Sequence, residues 1–124
     1  MAALKETIIG TGIDITEVRR LRQAIEKWGD SFTNRIFLPE ELKTAKEKVT
    51  LYQHLAGRFA AKEAIYKAIG DTSLGFKDIR IYNDSDGKPH CEIRKKTKPN
   101  ITIHLSISHV KSYAVANALV TQKA

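Results

Sequence analysis

Between Val18 and Trp28 the apolar residues Val18, Leu21, Ile25 and Trp28 recur at spacings of three and four. That period predicts a helix with one buried face, stopping near Gly29. Its other face carries Arg19, Arg20, Arg22, Gln23 and Lys27. Ahead of it, residues 7–15 (TIIGTGIDI) are β-branched and glycine-containing, and predict a buried strand running into a turn. Leu38-Pro39-Glu40-Glu41 reads as a second helix start, with proline in the first turn and two acids near the positive end of the dipole. The strongest helix signal spans 51–69. It holds Ala56, Ala60, Ala61, Ala64 and Ala68 and ends at Gly70, a natural stop. Small side chains there allow a neighbouring backbone to come close.

After Gly70 the period drops to two. Ile101, Ile103, Leu105 and Ile107 alternate with Thr102, His104, Ser106 and Ser108, the pattern of a strand with one apolar face. Strands are predicted at 78–82, 90–95, 101–108 and 114–121, separated by polar, glycine- and proline-containing turns. One strand, about three helices and a C-terminal antiparallel sheet make an α+β fold, with residues 1–124 as a single small domain.

Composition agrees: 42% hydrophobic and 28% charged residues suit a globular protein, not a disordered tail. A lone cysteine, Cys91, excludes an internal disulfide and a zinc cluster. The first residues lack the apolar stretch of a signal peptide and no run is long enough to span a membrane, so a cytoplasmic location is expected. The formal charge of +7 attracts polyanions of several kinds: nucleic acid, anionic lipid, phosphorylated small molecules or an acidic protein. A basic nucleic-acid-binding module would use that charge, but the four Tyr, four Phe and one Trp form no aromatic pair on a basic strand for base stacking.

Few residues are candidates for chemistry. Asp14-Ile15-Thr16-Glu17 has capping-box spacing, and a cap leaves one oxygen of Asp14 free, so both readings of Asp14 stay open. Glu63 and Lys67 stack one turn apart and, taken alone, read as an exposed ion pair, against which stands a helix whose charges are interleaved with small and apolar residues. His109 follows a strand, while His54 and His90 stand alone. Residues 84–87 resemble a calcium loop only faintly and read as a turn. No phosphate-binding glycine loop, G-x-S-x-G or Cys/His metal spacing is present. Two carboxylates remain, with Arg58, Lys62, Lys67 and His109 as candidate phosphate partners. Hard oxygen ligands beside cations suit Mg²⁺ on a diphosphate.

Three segments in order carry a family resemblance: Gly12-Ile13-Asp14-Ile15 with Glu17, Phe59-Ala60-Ala61-Lys62-Glu63-Ala64 with Lys67, and Ser106-Ile107-Ser108-His109. Together with Gly87-Lys88-Pro89 they resemble holo-[acyl-carrier-protein] synthases, from about Ile8 to Val120. The resemblance implies the 4′-phosphopantetheinyl transferase fold and a homotrimer with coenzyme A between neighbours. It implies transfer of 4′-phosphopantetheine from coenzyme A to a serine of acyl carrier protein, releasing 3′,5′-ADP, for fatty acid synthesis. Asp14 and Glu63 match magnesium-binding carboxylates. Lys67 matches a phosphate-steadying catalytic residue, and Arg58 and His109 match positions near the nucleotide. The basic face of the first helix, with Arg20 and also Arg19 and Lys27, is the implied landing site for the acidic carrier protein. The base that takes the serine proton stays open between Glu63 and a metal-bound water. Neither a nucleic-acid nor a membrane partner is expected. One departure is the stretch 71–75 (DTSLG), shorter than the family's usual glycine-containing loop. Related transferases acting on larger synthases are about twice this length and pseudo-dimeric, which argues against that branch.

Overall fold

The structure, a computed structural model, describes residues 5–124. The elements are β1 (Glu6–Glu17), α1 (Val18–Trp28), α2 (Asp30–Ile36), α3 (Pro39–Lys46), α4 (Leu51–Ile69), β2 (Ile79–Asn83), β3 (Pro89–Ile93), β4 (Ile101–His109) and β5 (Tyr113–Lys123). A single 3₁₀ turn, Phe76–Asp78, precedes β2. β1, β5 and β4 form one antiparallel sheet in that order, and β2 and β3 form a separate hairpin. This is the expected α+β class, with α4 bounded where its alanines and Gly70 place it. Gly70 ends it in the left-handed region, φ 73°.

The helix count is four among the described residues, one more than expected. α2 escapes periodicity because it is seven residues long and buries only Thr33 and Ile36. Gly29, with φ 57°, ends α1 and begins α2, so a residue that reads as a stop is also a corner.

The core lies between α4 and the three-stranded sheet. Ala60, Ala61, Ala64 and Ala68 meet Ala116, Ala118 and Val120 there, with Ile65, Ile69, Ile79, Ile81 and Leu105 filling around them. A second cluster, around Val18, Leu21, Ile36, Phe37 and Leu55, joins α1 and α2 to the start of α4. The contact of β1 with α4 is extreme. A Cβ on Gly10 would fall 1.8 Å from the carbonyl oxygen of Ala68, and one on Gly12 would fall 1.9 Å from that of Ala64. Strand and helix backbones therefore touch, and only glycine fits.

Two expectations are overturned. β1 is not a buried strand: its glycines face inward and Ile8, Ile13 and Ile15 are more than 60% exposed on the outer face. Trp28, expected in the α1 core face, is 58% exposed at the helix end, with Lys27 Nζ 4.9 Å from its ring centroid. The chain turns away at Gly29 before anything covers it. By contrast the apolar face of β4, Ile101 to Ile107, packs on the core within the subunit.

Candidate active site

Asp14 does not cap α1. Glu17 takes the N-cap position without a side-chain cap, because β1 continues to pair with β5 through Ile15↔Val115, Thr16↔Ala114 and Glu17↔Tyr113. Asp14 thus stays within the strand, opposite Ala116 on the face that meets α4. The glycine contacts at Gly10 and Gly12 draw that face onto the helix, and Asp14 arrives beside Glu63 and Lys67, one turn apart on α4.

Lys67 does not close a simple pair with Glu63. Its Nζ donates to the Ile13 carbonyl at 3.0 Å and to Asp14 Oδ1 at 3.3 Å, while Thr16 Oγ1 donates to Asp14 Oδ2 at 3.0 Å. Burial raises the Glu63 carboxyl above the ordinary carboxylate range, the neighbouring Asp14 charge adds to that, and Lys67 opposes it. Two like charges held together with one exposed lysine between them leave room for more positive charge. Both carboxylates line a groove of about 620 Å³ that runs past Phe59 and Tyr113 to Arg20 on α1. Arg19 and Lys27 are exposed on α1 but do not line it.

Arg58 and His109 lie elsewhere. They line a separate cavity of about 150 Å³ with Asn83, Gly87 and Pro89, so the Gly87-Lys88-Pro89 turn does meet them. Arg58 is 6% exposed, and one of its terminal nitrogens donates to Asn83 Oδ1 at 2.8 Å. His109 Nδ1 lies 3.2 Å from Gln53 Oε1. No residue lines both cavities. His54, isolated in the sequence, lines the Arg58 cavity one helical turn away, and its spacing of four from Arg58 is the signal that reading passed over.

Lys62 leaves the set of candidate phosphate partners. It is wholly buried and donates to Glu41 Oε1 at 2.7 Å and to the carbonyls of Phe76 at 2.9 Å and Ile79 at 2.7 Å. Residues 84–87 form a turn in which Asp84 accepts from the amides of Asp86 and Lys88 and lies 2.8 Å from His90 Nε2. The short 71–75 loop is tied down: Asp71 accepts from Ser73 and Thr97, which holds its carboxyl down at about 2. Among the described residues no group of three or more His, Cys, Asp or Glu is clustered for a metal.

Comparison with known proteins decides the family. A family model described as the 4′-phosphopantetheinyl transferase superfamily matches residues 10–118. The chain belongs to this family. It is 44% identical over 117 residues to a holo-[acyl-carrier-protein] synthase of Halothermothrix orenii, covering 88% of this chain and 94% of that one. Against the corresponding protein of Clostridium kluyveri the identity is 42% over 120 residues, with 90% and 89% covered. Among solved structures, the Bacillus anthracis holo-(acyl-carrier-protein) synthase in complex with coenzyme A (3′,5′-ADP) superposes with a TM-score of 0.79 at 39% identity, covering 93% of this chain and 97% of that one. The Helicobacter pylori enzyme in complex with coenzyme A gives 0.80 at 31% identity, covering 89% and 98%. These structures share the fold over most of this chain. No helix among the described residues is long and apolar enough to cross a membrane.

Proposed function

We propose that this chain is a holo-[acyl-carrier-protein] synthase that moves 4′-phosphopantetheine from coenzyme A to a serine of acyl carrier protein, leaving 3′,5′-ADP, in the cytoplasm and for fatty acid synthesis. The observation that carries the reading is the convergence of Asp14 and Glu63, with Lys67 bonded to Asp14, in a groove that also takes in Arg20 of the basic helix α1. The test is the mass of apo carrier protein after incubation with this protein, coenzyme A and Mg²⁺. A gain equal to the phosphopantetheine group is expected, and its absence sinks the assignment.

Asp14 and Glu63 fit magnesium by their chemistry: two hard oxygen donors, with Lys67 as their one cationic neighbour, suit an ion that keeps waters and takes further ligands from substrate phosphates. When bound, magnesium supplies charge neutralisation at the diphosphate. Lys67, half exposed and anchored on the Ile13 carbonyl, adds a positive charge toward the same phosphates. Glu63, with its raised affinity for a proton, is the chain's own candidate to receive the serine proton.

Arg58 and His109 would hold the nucleotide end of coenzyme A. Their cavity is separate from the carboxylates within one subunit, which supports a site completed by a neighbour. The outer sheet face supports a homotrimer: Ile13 and Ile15 stand 62% and 64% exposed beside partly buried Val115 on β5. Sedimentation is expected to give three times the chain mass, and a fully active monomer would rule out shared sites.

Arg20 connects the groove to the partner. It lies exposed on α1 and lines the groove that holds Asp14 and Glu63, so an acidic protein on this face would present its serine near them. Arg20→Glu should raise the KM for carrier protein about tenfold at low salt and flatten its salt dependence. Coenzyme A affinity should stay put. A carrier-protein KM that ignores the reversal would place docking elsewhere.

A further inference from the structure

His54 is a half-buried residue of α4. Its Nε2 is enclosed and has no hydrogen-bond partner among the described residues. An orphan of this kind costs about 1–3 kcal/mol, so its retention calls for a reason. His54, Arg58 and Asn83 form a wall shared by two cavities, of about 150 and 320 Å³. Arg58 is buried, and among the described residues no carboxylate forms an ion pair with it; its hydrogen-bond partner is the neutral Asn83.

The charged groups around His54 come from every side. Arg58 lies on the same helix, Lys48 on the turn before it, and His109 on β4 across the first cavity. Glu40 and Glu41 of α3 and Arg80 of β2 border the second cavity. Neither acid is available to His54. Glu41 is spent on Lys62 and on the amides of Leu38 and Ile81, and Glu40 faces Arg80 and Arg94. Burial first, and then Arg58, Lys48 and His109, hold the imidazole down to about 4, so it is neutral in the free protein at pH 6. The pocket therefore offers positive charge and an unused ring nitrogen, and lacks an anion.

We propose that His54 is a proton-coupled binding residue: when a phosphate group of coenzyme A seats against Arg58, His54 takes a proton from solvent and donates a hydrogen bond to that phosphate. This rests on the coenzyme A reading of the Arg58–His109 cavity. The dianion supplies both the acceptor and the countercharge that the free pocket is missing, and so favours the imidazolium. The sign follows: binding takes up protons, and His54 strengthens affinity as pH falls from 7 toward 5, by up to about tenfold per pH unit. The second phosphate ionisation, near ~6, acts in the opposite sense but is common to every variant.

The experiment is calorimetric titration of coenzyme A into the full chain and into His54→Gln at pH 6, in two buffers of different ionisation enthalpy. The parent should take up a larger fraction of a proton than the variant. Equal uptake overturns the role of His54 while leaving coenzyme A binding intact; no binding by the parent overturns the coenzyme A reading and this inference with it. A ring-proton NMR titration of unmodified His54 gives a second readout independent of the variant's folding. Its midpoint should rise on adding coenzyme A, and an unmoved midpoint refutes the proposal.

Discussion

Asp14→Asn and Glu63→Gln should each lower kcat/KM by a factor of at least ~10³, the scale of removing a charge that positions several kcal/mol of electrostatic stabilisation at a reacting phosphate. Both proteins should stay folded. Asn retains an acceptor for Lys67 or Thr16, so at most about 1 kcal/mol of hydrogen bonding is at stake. Glu63→Gln should do more than survive. In the free protein burial and the Asp14 charge both disfavour the ionised Glu63, so a neutral amide relieves that conflict. The expected signature is a melting temperature equal to or above the parent's without magnesium, with loss of any rise on adding magnesium and coenzyme A. A residue kept at a cost to stability is the mark of a functional carboxylate. Activity within a few-fold of the parent, in either folded variant, would remove the carboxylates from the mechanism.

Regular period made much of this fold legible. The alanine-rich run from Leu51 to Gly70 gives α4 its bounds, and alternation over Ile101–Ser108 gives β4 and its core face. What failed has common physical causes. α2 is too short for a period, and β1 reverses the usual rule by turning glycine inward and isoleucine outward. Composition could say that small residues permit close approach, but not that the Gly10 and Gly12 backbone would meet the carbonyls of α4. The capping reading of Asp14 failed because strand pairing with Tyr113–Val115, a contact about a hundred residues away in sequence, prolongs β1 past it. For the candidate site, the sequence names residues but not their geometry. Asp14, Glu63 and Lys67 come together, whereas Arg58 and His109, grouped with Lys67 as candidate phosphate partners, line a second cavity.

Lys62, next in sequence to Glu63, should prove to be the main polar pin of the domain, and Lys62→Met should cost about 3–5 kcal/mol. Against a typical total of ~5–15 kcal/mol this threatens folding outright. All three ammonium protons are used, on Glu41 Oε1 and on the carbonyls of Phe76 and Ile79. The Glu41 carboxylate in turn accepts from the amides of Leu38 and Ile81. One buried pair thus ties α4 to α3, the 3₁₀ turn and β2. Removing the lysine strands a carboxylate with less than 2% of its side chain exposed and two carbonyls without a donor. Glu41→Gln added to Lys62→Met should recover part of the loss, because the amide deletes the unpaired charge yet keeps an oxygen for one backbone donor. Urea unfolding of the two single variants and the double measures this coupling. If Lys62→Met instead loses under about 1 kcal/mol while transfer collapses, the lysine acts on substrate after all, and the buried pair is not what holds α4 in place.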